Sequence, residues 1–163
     1  MLRPENLPKK YDVLFADIDI GRIKIPSFQR DFVWTREQTA KLLDSIIKGF
    51  PIGTFIFWKT QEYLRHVRNI GDVDLPEPPA GEPIQYVLDG QQRITSLYAA
   101  RKGVRMTKEG RELDYRGISI NLDLSVDTEE QVVMIEPAEG TNSIPIVTTQ
   151  PPRARDELLK LRT

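Results

Sequence analysis

Cysteine is absent from the 163-residue chain, and histidine occurs once, at His66. A disulfide framework, a Cys/His zinc site, a thiol nucleophile and a two-histidine metal cage are therefore excluded. Charge of one sign is lacking too, because 23 Lys+Arg stand against 24 Asp+Glu and leave a net charge of -1. No global positive field draws the chain onto nucleic acid, so such a role needs a local patch. Long apolar runs are also missing. The opening MLRPENLPKKYDVLF has no continuous apolar signal-peptide core, and no stretch reaches the length of a membrane span. The reading is a cytoplasmic protein with no membrane partner.

What is present is 39% hydrophobic and 29% charged, a balance that folds in water. The length suits a single domain over 1–163, with its core between about residues 15 and 147. Carboxylates, amides, guanidinium groups, hydroxyls and backbone N–H groups are left for chemistry. That set suits phosphate handling with a hard cation such as magnesium.

Along the chain, residues 11–25 read as a short helical turn followed by a short strand at Ile23 and Ile25. PSFQRDFVW has no clear period and reads as an ordered loop. Thr35 and Gln38 have capping-box spacing, Leu42, Leu43, Ile46, Ile47 and Phe50 recur at helical intervals, and Gly49-Pro51 stops the pattern. A helix from about Arg36 to Lys48 is predicted. TFIFW at 54–58 reads as a buried strand, and the proline- and glycine-rich stretch through GDVDLPEPPAG as a surface loop or hairpin excursion. Ile84–Leu88 reads as a strand and Gln91 to about Lys102 as a helix with Asp89 as N-cap, Gln92 at the capping-box position and Gly103 as its stop. Six Lys/Arg against three Asp/Glu in 101–116 suggest an exposed turn or hairpin. Strands are predicted at 118–124, 131–135 and 143–147. Residues 153–163 begin a further helix, from about Ala154, whose Leu158, Leu159 and Leu161 need covering.

The informative segment is LDGQQRI, residues 88–94, at a strand-to-helix junction. A helix start leaves backbone N–H groups unpaired and carries partial positive charge, Gly90 has no Cβ to block a ligand, and Arg93 offers a fork of donors that matches phosphate oxygens. A carboxylate at Asp89 repels phosphate unless a cation lies between them. Two readings follow: Asp89 holds magnesium while Gln91 or Gln92 orients water, or Asp89 is an ordinary cap, the glutamines face solvent and Arg93 makes a surface pair. A second candidate is Gln29-Arg30, set among Phe28, Phe32, Val33 and Trp34, where Arg30 either meets an anion beside a base stacked on Trp34 or Phe32, or pairs with Asp31 or Asp44.

IPSFQRDFVW, the helix REQTAKLLDSIIKGFPIG, FIFW and then YVLDGQQRITSLYA, in that order, resemble the N-terminal domain family of the GmrSD-type restriction endonucleases. The resemblance covers about Phe15 to Arg101. It implies an α+β fold, a ParB/sulfiredoxin-like small mixed sheet with helices packed on it. It also implies a nucleoside triphosphate (GTP or ATP) with Mg2+, within systems that restrict modified phage DNA. The implied catalytic residues are Asp89, Gln91, Gln92 and Arg93, nucleotide contacts come from Gln29, Arg30, Gly90 and Arg93, and Asp89 holds the metal. Sulfiredoxin chemistry needs a cysteine and is excluded. Family members often carry an HNH-type nuclease domain or subunit, whose metal site needs histidines. With His66 alone in a loop, this polypeptide is not expected to cut DNA by itself. The competing class is a non-catalytic DNA-binding or partner-binding module with the same fold, served by the basic 101–116 stretch and the apolar tail.

Overall fold

The computed structural model describes residues 5–108 and 110–147. They show a mixed α+β architecture, and the chain divides into two compact units: Met1–Phe32 with Gly53–Thr95, and Val33–Ile52 with Ser96–Thr163. The helix expected over 153–163, with Leu158, Leu159 and Leu161, lies outside the described residues. No helix among the described residues is long and apolar enough to cross a membrane.

The first unit is a four-stranded sheet in the order β2 (Ile56–Thr60), β4 (Ile84–Asp89), β1 (Ile23–Pro26), β3 (Val67–Arg68), with one helix, α1 (Tyr11–Asp19), of nine residues where a single turn was expected. Its central strands, β1 (Ile23–Pro26) and β4 (Ile84–Asp89), run parallel with Ile23 opposite Gln85. Strands with neighbours on both sides are covered, and all four residues of β1 are buried. Leu14, Phe15 and Ile18 of α1, Ile23, Ile25, Ile84, Tyr86 and Val87 form the core. The excursion after β2 contributes β3 (Val67–Arg68), paired antiparallel with β1, and a 3-10 turn that buries Ile70 completely.

Strand β2 (Ile56–Thr60) corrects the sequence reading in place and in burial. It starts two residues later than expected and is an edge strand, with Ile56 52% and Trp58 39% exposed. TFIFW is apolar enough to be central, but β2 has only β4 beside it, and Trp58 covers Tyr86 with ring centroids 5.7 Å apart. The register slips between Ile56 and Phe57: Ile56 faces Asp89 and Phe57 faces Val87, so Leu88 has no opposite number. Such a bulge re-aims the strand end.

Two buried or half-buried charges tie this unit together. Lys24, with a side chain only 2% exposed, donates to Asn69 Oδ1 at 2.8 Å and Pro76 O at 3.3 Å beside Glu77, pinning the proline-rich excursion to β1. Burial alone would push the Asp17 carboxyl up, but Lys9 at 2.6 Å and Arg22 at 3.1 Å hydrogen-bond its two oxygens and hold it below the usual carboxylate value.

In the second unit, α2 (Arg36–Ile47) carries the predicted capping box, in which the Thr35 hydroxyl accepts from Gln38 N–H and the Gln38 side chain accepts from Thr35 N–H. Its buried face is Thr39, Ala40 and Leu42, with Leu43, Ile46 and Ile47 half-buried, while Phe50 is 61% exposed and lies outside the face assigned to it. Asp44 of this helix pairs with Lys48 and accepts the N–H groups of Val132 and Val133, fastening α2 to β8 (Val133–Ile135). Strand β7 (Ile118–Asn121) lies between β8 and β9 (Ser143–Pro145) in an antiparallel three-stranded sheet. The basic 101–116 stretch folds as the expected hairpin of β5 (Arg105–Lys108) and β6 (Arg111–Asp114). Helix α3 (Gln91–Lys102) has the predicted bounds, and Ile94–Ala100 are buried on every side, not along one face.

Candidate functional site

The two polar motifs singled out in the sequence, Gln29-Arg30 and 88–93, meet in the first unit. Ser27 N–H donates to His66 O and Gln29 N–H to Pro26 O, closing a turn at the end of β1. Gln29 then sends its amide Nε2 to Leu88 O at 3.0 Å, the carbonyl of the residue that the bulge leaves without an opposite number. Gln92, in the first turn of α3, returns the connection by donating its amide Nε2 to Asp31 O at 2.9 Å. The loop and the junction are thus cross-tied by two glutamines, each satisfying a backbone carbonyl of the other segment.

Arg68 on β3 is a third tie, and the sequence reading missed it. One of its terminal nitrogens donates to Gln29 O at 2.6 Å and Arg30 O at 3.2 Å, and the other to the Asp31 carboxylate. Nothing local in RHVRN marks Arg68 for this task, which depends on β3 pairing beside β1 so that Ile25 faces Arg68. Because Asp31 is engaged by Arg68, and Asp44 by Lys48 and the β8 backbone, the two carboxylates considered as partners for Arg30 have other roles. Arg30 is exposed.

At the junction Asp89 is the last residue of β4, and the first intrahelical bond runs from Ile94 N–H to Gly90 O at 2.9 Å. Gly90, not Asp89, therefore holds the cap position, a correction to the sequence expectation that follows from the strand running one residue further. Gly90 has φ +87°, and a Cβ there would lie 2.5 Å from Phe55 Cδ1. The missing side chain makes room for Phe55 and permits a left-handed backbone, where the sequence reading had reserved that room for a ligand. Gln91 and Gln92 are 5% and 6% exposed, so neither faces solvent as expected where Asp89 is an ordinary cap.

Arg93 is also more enclosed than a surface pair. Its guanidinium lies over the Phe55 ring at 5.2 Å, donates to Thr54 O at 2.8 Å and reaches Asp89 Oδ2 at 3.2 Å, with 19% of the side chain exposed. A Cβ at Gly53 would come within 2.6 Å of its Nη1. The segment entering β2 is folded around this arginine. Asp89 keeps 63% of its side chain exposed.

A small mixed sheet whose central parallel strand ends in a sharp turn and a helix, with a second loop lashed to that turn, is the class of site that these contacts define. The family described as "GmrSD restriction endonuclease, N-terminal domain" matches residues 11–155, and the chain belongs to that family. The chain is also similar to the uncharacterized protein MJ0686 of Methanocaldococcus jannaschii, 35% identical over 88 residues. That match takes in 49% of this chain and 14% of the archaeal protein, so the chain spans a small part of the length of that relative. No solved structure matches the chain.

Among the described residues no group of three or more His, Asp or Glu side chains is placed to hold a metal ion. Asp89, 63% exposed beside the helix start and bonded through Oδ2 by Arg93, is a carboxylate of the kind magnesium takes, commonly one or two together with waters and phosphate oxygens.

Proposed function

We propose that the chain is the nucleoside triphosphate-binding and hydrolysing regulatory domain of a modification-dependent restriction system, and that its sheet is the ParB-like one the family resemblance implies. The observation that carries the reading is the reciprocal lashing of the Gln29-Arg30 loop to the 88–93 junction. Side-chain amides turned onto backbone carbonyls fix two loops at once, and a fixed pair of loops is what a charged, multi-atom ligand requires.

The roles divide between ligand-facing and positioning groups. Exposed Arg30 and the backbone N–H groups at the start of α3 meet the phosphates, and Asp89 is the residue that would hold Mg2+. Bound there, magnesium would neutralise phosphate charge and remove the repulsion between Asp89 and the ligand. Gln91 is the candidate to orient water. Gln29, Gln92 and Arg93 act by holding Leu88, Asp31 and Thr54 in place, with Gly90 giving the turn its shape. The nuclease that such a system needs is supplied by another domain or subunit.

Calorimetric titration with ATP and GTP, with and without Mg2+, tests the reading alongside phosphate release. The expected result is Mg2+-dependent binding, weakened at least about tenfold by Arg30→Ala, and phosphate release lost in Asp89→Asn. Failure of both nucleotides to bind would overturn it.

A further inference from the structure

The aromatic that the fold leaves in the open beside this site is Phe28. The sequence drew attention to Phe32 and Trp34 as stacking partners, yet Phe32 is half-buried while Phe28 is 72% exposed. Large apolar side chains scattered over a surface are ordinary and mean little alone. The mounting of Phe28 is what sets it apart. Its predecessor Ser27 is held by His66 O at 3.1 Å. Its successor Gln29 is held at three points: N–H to Pro26 O at 3.0 Å, side chain to Leu88 O at 3.0 Å, and carbonyl to Arg68 at 2.6 Å. The backbone on both sides of the exposed ring is fixed, and only two side-chain torsions are left to order when something settles on it.

We propose that Phe28 is the base-stacking residue of the nucleotide site, resting the nucleobase on its ring while Arg30, two residues on, meets the phosphates. The inference rests on the nucleotide reading above and adds to it the half of the ligand that phosphate contacts ignore. A bare aromatic ring offers a π-face to any base, and Leu88, the residue whose carbonyl Gln29 holds, is itself 40% exposed. Phe28 makes stacking contact only. It therefore contributes affinity for the nucleoside part and leaves the affinity for the phosphate chain alone unaltered.

The experiment compares ATP with inorganic tripolyphosphate, both with Mg2+, titrated into the wild-type chain, Phe28→Ala and Phe28→Tyr. Wild type should bind ATP about tenfold more tightly than tripolyphosphate, in the range that one base stacked on an aromatic ring supplies. Phe28→Ala should remove that gap with tripolyphosphate binding unchanged, and Phe28→Tyr should restore it. A gap that survives in Phe28→Ala, or an equal loss of both ligands, overturns the proposal while leaving the phosphate site standing. If neither ligand binds wild type, the nucleotide reading falls first and this inference falls with it.

Discussion

Two groups of arginines in this chain differ in what they hold beyond a carboxylate. In the first unit Arg68 and Arg93, besides pairing with the carboxylates of Asp31 and Asp89, donate to backbone carbonyls, Gln29 O and Arg30 O in one case and Thr54 O in the other. In the second unit Arg105 and Arg116 of the 101–116 stretch lie beside Glu112 and Asp114 on an exposed hairpin. An arginine spent on carbonyls fixes the path of the chain, because an oxygen in the main chain cannot swing to another partner. An arginine facing an exposed carboxylate shares it with water and salt. The basic hairpin thus cancels much of the charge that a nucleic-acid patch would need, while the two carbonyl-bound arginines shape a site.

The largest effect expected from disturbing the first group comes through the residue that gives it room. Gly90→Ala forces a Cβ into the Phe55 ring at a left-handed backbone, and should cost about 3 kcal/mol in a denaturant melt. Next comes the direct contrast. Arg93→Ala removes the bond to Thr54 O and the contact over Phe55, and should cost about 2 kcal/mol, whereas Arg105→Ala should cost no more than about 0.5 kcal/mol. Equal costs in the two variants would erase the distinction drawn here.

The smallest effect separates two carboxylates and is read by acid titration of stability. Asp17 and Asp114 are both held below the usual value, Asp17 by Lys9 and Arg22 against the opposing effect of burial, and Asp114 chiefly by its hydrogen bonds from Arg116. A depressed carboxyl contributes stability above its unfolded pKa of about 3.9, and the contribution is lost as pH falls through the folded value. Asp17, with a side chain 12% exposed, should carry more of that acid limb than Asp114, at 30% and paired with a half-exposed arginine. Asp17→Asn should flatten the curve below about pH 4, and Asp114→Asn should leave it close to wild type.

Local patterns carried much of the architecture into the sequence. The capping box at Thr35 and Gln38, the stop at Gly103 and the hairpin over 101–116 are all short-range devices, and each stands where it was read. The misplaced elements needed information from a distance. TFIFW reads as buried until one knows that β2 has a single neighbour, and Asp89 reads as a cap until the bulge opposite Ile56 extends β4 through it. At the site, the composition of the two motifs was visible, but the direction of each side chain was not. Gln92 reaches a carbonyl 61 positions earlier, and Arg68 does comparable work from a two-residue strand. No spacing rule encodes a partner that far along the chain.

Lys24 has one more consequence. A stretch such as 73–83, with no helix or strand of its own, would ordinarily be a place where a protease finds purchase. Fastened near its middle by an ammonium rooted in the sheet, it instead offers two short arms, and the one beyond Pro76 ends at Gly81, around which there is open space. Relatives that lengthen or shorten this ribbon have freedom to do so at its far tip, and little on the side where the lysine grips.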